Sequence, residues 1–151
     1  MATISDDPRW IRFAASNFAR LDPDWTVTHS YTMTSADTPM MRMPLCFTAG
    51  TRITELSVTA SNGHTQPTGT VTVCLVRFNL AGESPGVLWE TVYGWYVPVL
   101  SGVPTEHVVS LPTEHTLDEN HAYALQVETS NPNNDYIMVY GAGVKTSIRL
   151  L

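Results

Sequence analysis

The feature that most constrains this chain is a short run of alternating apolar and polar residues, repeated many times and bounded each time by turn formers. Period-two alternation sends every second side chain to one side of an extended backbone, so such a run buries one face and wets the other. From Trp25 to Met33 the pattern is clean, with Trp25, Val27, His29, Tyr31 and Met33 on one face and Thr26, Thr28, Ser30 and Thr32 on the other. Met40 to Phe47 follows. In Thr51 to Ser61 the apolar phase slips between Ile53 and the set Leu56, Val58 and Ala60, which predicts a β-bulge. Asn62-Gly63 closes a turn, and Gly69 to Leu80 is apolar on both parities, the mark of a central strand. Beyond the turn at Ala81 to Gly86 come Val87 to Trp95, then a stretch broken by Pro98 and Pro104 that reads as an edge or a wide loop. Glu106 to Leu111, Ala122 to Thr129 and Tyr136 to Ile148 complete the set.

This spacing gives about nine strands with no helical segment long enough for a parallel crossover between them, so the expected fold is an all-β antiparallel sandwich or barrel. Composition agrees. Threonine and valine dominate, two β-branched types suited to a pleated surface. At 151 residues the chain is long enough to bury one core as a single domain without a metal or disulfide. Only the N-terminal segment competes for helix: Asp7-Pro8 could cap one, and Trp10, Phe13, Ala14, Phe18 and Leu21 fall on one helical face. The same residues read as a short strand from Trp10 to Ala14. The expected organisation is therefore an N-terminal arm or first strand over residues 1–24 and a sandwich over 25–151.

Charged residues are only 15% of the chain and the formal net charge is −6. The cations Arg9, Arg12, Arg20, Arg42, Arg52, Arg77, Lys145 and Arg149 are scattered, which argues against a nucleic-acid surface. No apolar run approaches the ~20 residues of a helical membrane span. The acidic start, Ser5-Asp6-Asp7, lacks the basic and apolar regions of a signal peptide, so synthesis in a cytoplasm is expected. Cys46 and Cys74 sit in apolar surroundings and read as two buried free thiols, with a disulfide between neighbouring strands as the alternative.

Each motif that suggests chemistry has a plainer reading. Gly82-Glu83-Ser84-Pro85-Gly86 matches a serine-hydrolase elbow, but Pro85 removes the backbone N–H that the oxyanion hole requires, leaving a hairpin turn. Pro-Thr-Glu-His occurs at Pro104 to His107 and again at Pro112 to His115, followed by Asp118, Glu119 and His121. These are nitrogen and oxygen ligand types, yet the spacing aims no two rings at one point, and no metal or cofactor is expected. Asn131 to Asp135 reads as a polar turn. Trp89, Tyr93 and Trp95 share one strand parity, so they form either a buried core stripe or, with Asn133 nearby, a stacking face for glycans.

Several segments also carry a likeness. Pro44 to Leu56 is similar to an apolar segment leading into a Pro-x-Gly-Ala-x-Ile turn, Leu75-Val-Arg77 to a strand ending in Leu-x-Arg, Leu117 to Val127 to an Asp-Asn-x-x-Tyr strand entry, and Gly141 to Val144 to a closing Gly-x-x-Val strand. In these respects Met43 to Ile148 resembles a jelly-roll-type β-sandwich module that recurs in uncharacterised bacterial and phage virion-associated proteins. The resemblance implies a jelly-roll sandwich with the segment through Phe18 as a first strand, and it transfers no catalytic residue.

The functional expectation that follows is a non-enzymatic virion protein, a bacteriophage capsid decoration or spike-like subunit. It would act as a homo-oligomer, a trimer by expectation, and bind a major capsid or other virion protein. Trp10, Phe13, Phe18, Met40, Met41 and Met43 would form its apolar assembly contacts. The alternative is a carbohydrate-binding module that meets surface glycans through Trp89, Tyr93, Trp95 and Asn133. An enzyme ranks third, because no acid, base and nucleophile converge in the sequence pattern.

Overall fold

The computed structural model describes residues 8–20, 26–27, 32–34, 40–64, 67–80, 89–130 and 137–147. Among them the strands are β1 (Arg9–Ala14), β2 (Ala19–Arg20), β3 (Thr26–Val27), β4 (Thr32–Thr34), β5 (Met40–Leu45), β6 (Arg52–Asn62), β7 (Thr70–Asn79), β8 (Glu90–Pro98), β9 (Thr105–Thr116), β10 (His121–Ser130) and β11 (Ile137–Ser147). One 3₁₀ turn, Ala15–Asn17, separates β1 from β2. The first sheet has the order β3-β4-β11-β6-β9, with β1 also paired to β11, and the second has the order β2-β5-β10-β7-β8. Every pairing is antiparallel. This is the antiparallel sandwich that the strand spacing predicts, of the jelly-roll type that the resemblance implies.

Between the sheets lies one core. The first sheet contributes Ile53, Leu56 and Val58 from β6 and Ile137, Val139 and Val144 from β11. From the second come Met41 of β5, Val71, Val73 and Leu75 of β7, and Tyr123, Leu125 and Val127 of β10. Each such aliphatic side chain contributes about 1.5–3 kcal/mol by leaving water. The phase slip in β6 is a bulge at Thr54: Ile53 pairs with His115 and Thr146, whereas Glu55 pairs with Ser110 and Lys145. Strand β7 is central, flanked by β10 and β8. Its outward apolar residues Cys74 and Val76 form a second small cluster with Ala124 of β10, against which Phe78 packs.

Three sequence expectations are corrected. Trp25 to Met33 is not one strand, because Thr26 pairs with Met33 and Val27 with Thr32 in an antiparallel hairpin. Alternation continued through the reversal and hid it. Trp25, His29 and Tyr31 lie outside the described residues. Next, β9 reaches from Thr105 to Thr116 and takes both Glu-His pairs into one strand, where Glu106 to Leu111 was expected. Finally, Cys46 is exposed and only Cys74 is buried, and both are free.

The N-terminal segment is a strand, and it leads into the core. β1 lies beside β11, the 3₁₀ turn carries the chain across, and β2 joins β5 in the other sheet. This crossing tucks Ala15 and Phe18 between the sheets. Phe18 is 5% exposed and Met41 is fully buried, so neither can form an apolar docking surface. Phe13 and Met43 are half-buried against the same core. Trp10 and Met40 are half-exposed, but they sit in different sheets. The six expected assembly residues therefore do not make one surface.

Candidate functional site

The outward face of the second sheet carries the most distinctive side chains among the described residues. Register sets them in rows: Arg42, Gln126, Cys74 and Gly94 stand in line across β5, β10, β7 and β8. The next row in one direction holds Met40, Glu128, Thr72 and Tyr96, and in the other Pro44, Ala124, Val76 and Thr91. At ~4.8 Å between strands, a row is about 14 Å wide.

Two features shape this face. Its floor is made of small or short residues, and Cys74, Val76, Ala124 and Gln126 are all buried although they point away from the main core. Above the floor the Arg42 guanidinium lies 5.2 Å from the Phe78 ring centre and 4.9 Å from that of Trp89, a cation–π roof. At Gly94 the floor is closely packed. A Cβ there would lie 3.0 Å from Cys74 Sγ, so any larger residue would press into the neighbouring strand. Trp89 and Tyr96 rise at the two ends of β8, roughly 20 Å apart by the strand rise. They are 41% and 68% exposed.

The polar groups are pre-aligned. Arg42 Nε donates to Gln126 Oε1, and Gln126 Nε2 donates to Glu128 Oε1, so one amide bridges a cation and an anion across adjacent strands. Fixed donors and acceptors beside upright rings suit a ligand that offers both C–H faces and hydroxyl groups. Burial, with the Glu128 charge second, pushes the Cys74 thiol up to about 11, keeping it protonated at neutral pH.

Of the expected glycan contacts among the described residues, Trp89 is on this face and Tyr93 and Trp95 are not. Tyr93 and Trp95 pair with Leu75 and Val73 and share their inward direction, packing against the core. Tyr96, a neighbour of the same aromatic cluster left out of the expected face for its opposite parity, is the more exposed ring. Parity could have found it, since an inward Trp95 forces its neighbour outward. Asn133, the Ser84 turn and the Asn131 to Asp135 turn lie outside the described residues. The two Pro-Thr-Glu-His copies end at opposite ends of β9, with His107 opposite Val58 and His115 opposite Ile53. Among the described residues no three histidine, cysteine or carboxylate side chains are grouped to hold a metal ion.

No family model matches the chain, and no curated relative matches it in sequence. Its fold does match solved structures over nearly the whole of both chains. A CBM36-1 domain of a multidomain xylanase from the hindgut metagenome of Trinervitermes trinervoides aligns at TM-score 0.58 and 8% identity, covering 90% of this chain and 96% of that one. A carbohydrate-binding module CBM36 in complex with calcium and xylotriose aligns at TM-score 0.58 and 14% identity, covering 89% and 98%. The xylan-binding module CBM86 from Roseburia intestinalis aligns at TM-score 0.52 and 11% identity, covering 91% and 96%. At these identities the likeness establishes the fold.

These matches correct the virion expectation. The similar full-length domains are carbohydrate-binding modules, and none of the three is a capsid decoration or spike protein. The residues assigned to particle docking are partly spent on the core, Phe18 and Met41 above all. Neither a trimer nor a capsid partner draws support from fold or site.

Proposed function

We propose that the chain is a non-catalytic carbohydrate-binding module that presents the outward face of the second sheet to a neutral polysaccharide. The observation that carries this reading is the exposed pair Trp89 and Tyr96 on the face that also holds the hydrogen-bonded chain Arg42–Gln126–Glu128. Sugar C–H faces stack on the rings, and sugar hydroxyls exchange hydrogen bonds with that chain. Glu128 on the face and a net charge of −6 disfavour polyanionic glycans. The fold neighbours support the ligand class: one is a complex with xylotriose and another is named for xylan binding. Calcium, which accompanies xylotriose in that neighbour, is not assigned here, because no ligand group converges among the described residues.

Calorimetric titration with xylo-, cello- and manno-oligosaccharides tests the reading. Binding of at least one series is expected, and Trp89→Ala and Tyr96→Ala should each weaken it about tenfold, equivalent to ~1.4 kcal/mol, as truncation of an interfacial aromatic ring does. Affinity unchanged in both variants, or no binding in any series, overturns it.

A further inference from the structure

A second recess lies where the two sheets leave a gap. Strands β8 and β9 are the edge strands of different sheets and face each other across one side of the sandwich. Each is bulged at the same level. In β8, Tyr93 pairs with Leu75 and Thr91 with Val76, so Val92 is extra. In β9, Ser110 pairs with Glu55 and His115 with Ile53, so Leu111 to Glu114 bow away from β6. Between the bulges is a cleft of about 300 Å³. Val92, Tyr93, Leu111 and Pro112 give it an apolar side, and Thr113, Glu114 and His115 a polar one.

The state of His115 follows from its partners. Tyr123 donates its hydroxyl proton to Asp118 Oδ2 at 2.9 Å, so toward His115, 3.1 Å away, the phenol oxygen accepts. The imidazole therefore carries its proton on Nε2, and in the neutral ring Nδ1 remains an acceptor. Burial first, and then the Arg77 charge, hold His115 below its ordinary pKa and keep it neutral. The other charged groups near it are His121, which opposes protonation, and Asp118, which favours it. On its own strand Glu114 reaches Arg52 of β6 at 3.3 Å.

An apolar wall opposed by a hydroxyl, a carboxylate and a neutral imidazole suits a small neutral ligand rich in hydroxyl groups. An anion would meet Glu114, and a hydrocarbon would displace water from the polar side without replacing its hydrogen bonds. The volume is at the lower end of the ~300–1,000 Å³ typical of ligand sites, which suits one small ring.

We infer that the β8–β9 cleft is a second saccharide site that takes a single terminal sugar unit, separate from the rings on the sheet face. The choice of a sugar rests on the binding-module reading, while the cleft is independent of the sheet face. With two sites, one domain would hold a chain end and the side of a chain together.

The test is an NMR titration of the ¹⁵N-labelled chain with methyl β-xyloside, methyl β-glucoside and methyl β-mannoside, and with the corresponding trisaccharides. At least one monosaccharide should shift the amides of Val92, Tyr93, Thr113, Glu114 and His115. The double variant Thr113→Val, Glu114→Gln changes two exposed side chains outside the core. It should weaken that binding tenfold or more, leaving trisaccharide shifts at Trp89 and Tyr96 in place. Acidification below the ordinary histidine value of 6.5 should progressively weaken the cleft as His115 takes up its proton, an effect absent from His115→Gln. Trisaccharide shifts confined to Trp89 and Tyr96 would overturn the cleft and leave the sheet face standing. Shifts confined to the cleft would support it and overturn the sheet face. No shift from any sugar would overturn both.

Discussion

The outward faces of the two sheets are built from the same alternation and end up chemically opposite. On the first sheet the charges cancel one another. Arg12 of β1 reaches across β11 and β6 to Glu106 of β9, with both nitrogen–oxygen contacts at 3.0 Å or less. Lys145 meets Glu55 at 3.2 Å, and Ser61 shares a hydrogen bond with Tyr140. Arg12 can lie flat because Gly143 is beneath it: a Cβ there would be 3.1 Å from Arg12 Cγ and 2.9 Å from the Ile11 carbonyl oxygen. On the second sheet one neutral amide links Arg42 to Glu128, and two aromatic rings remain exposed. The difference shows that exposed charge does not mark a binding face. A face whose charged groups are joined to each other offers a ligand little, whereas aligned polar groups beside exposed rings offer it contact area.

The largest effect that sharpens this contrast lies beneath the second sheet. Met41→Ala should lower unfolding free energy by about 2–5 kcal/mol, because Met41 is fully buried in the core. Chemical denaturation checks it, and an unchanged midpoint would return Met41 to the surface role that its sequence suggested.

A smaller effect separates the faces directly. Trp10 on the first sheet and Trp89 on the second each stack with an arginine, their ring centres 4.9 Å from the guanidinium carbon. Trp89→Ala should weaken oligosaccharide binding about tenfold and Trp10→Ala should leave it unchanged. Equal losses in parallel titrations would break the distinction.

Acid should then act on the end of the sandwich where Tyr123 links His115 of β9 to Asp118. The folded state holds His115 below its ordinary 6.5, so the unfolded chain takes up the proton first. Stability is full above pH 6.5 and declines as pH falls below it, and His115→Gln should flatten that part of the curve. A second decline belongs to Asp118, whose carboxyl is held down at about 2, chiefly by the His121 hydrogen bond. Its contribution is intact above its ordinary 3.8 and is lost as pH falls from there toward 2. Thermal melts from pH 8 to 2 read both steps.

The smallest effect is on the first sheet. Arg12 and Glu106 are joined at the surface, so a double-mutant cycle with Arg12→Met and Glu106→Gln should return a small coupling that high salt removes. A large, salt-independent coupling would mean that this face is held more tightly than its exposure indicates.

Much of the fold was legible because period-two alternation is a local signal. The bulge in β6 and the central place of β7 both followed from which parity was apolar. The hairpin of β3 and β4 escaped because its alternation is unbroken across the reversal, with no glycine or proline to mark it. The site was half legible. Trp89, Tyr93 and Trp95 shared a parity on paper, but the bulge at Val92 changes the phase between Trp89 and the other two. The same bulge sends Tyr93 and Trp95 inward and leaves Trp89 outside. Arg42, Gln126 and Glu128 gave no signal at all, because their alignment depends on which strands become neighbours.

By itself, then, the sequence determined an antiparallel β-sandwich, since the period of apolar residues fixes which side of each strand avoids water. It did not determine which apolar residues would be hidden. Met41 and Phe18 looked as available as Trp89, and the packing of the two sheets hid the first two while the Val92 bulge left Trp89 outside. Only the tertiary structure decided that. Burial is a property of two surfaces meeting, and hydrogen-bonded rows across strands far apart in sequence exist only once register is set.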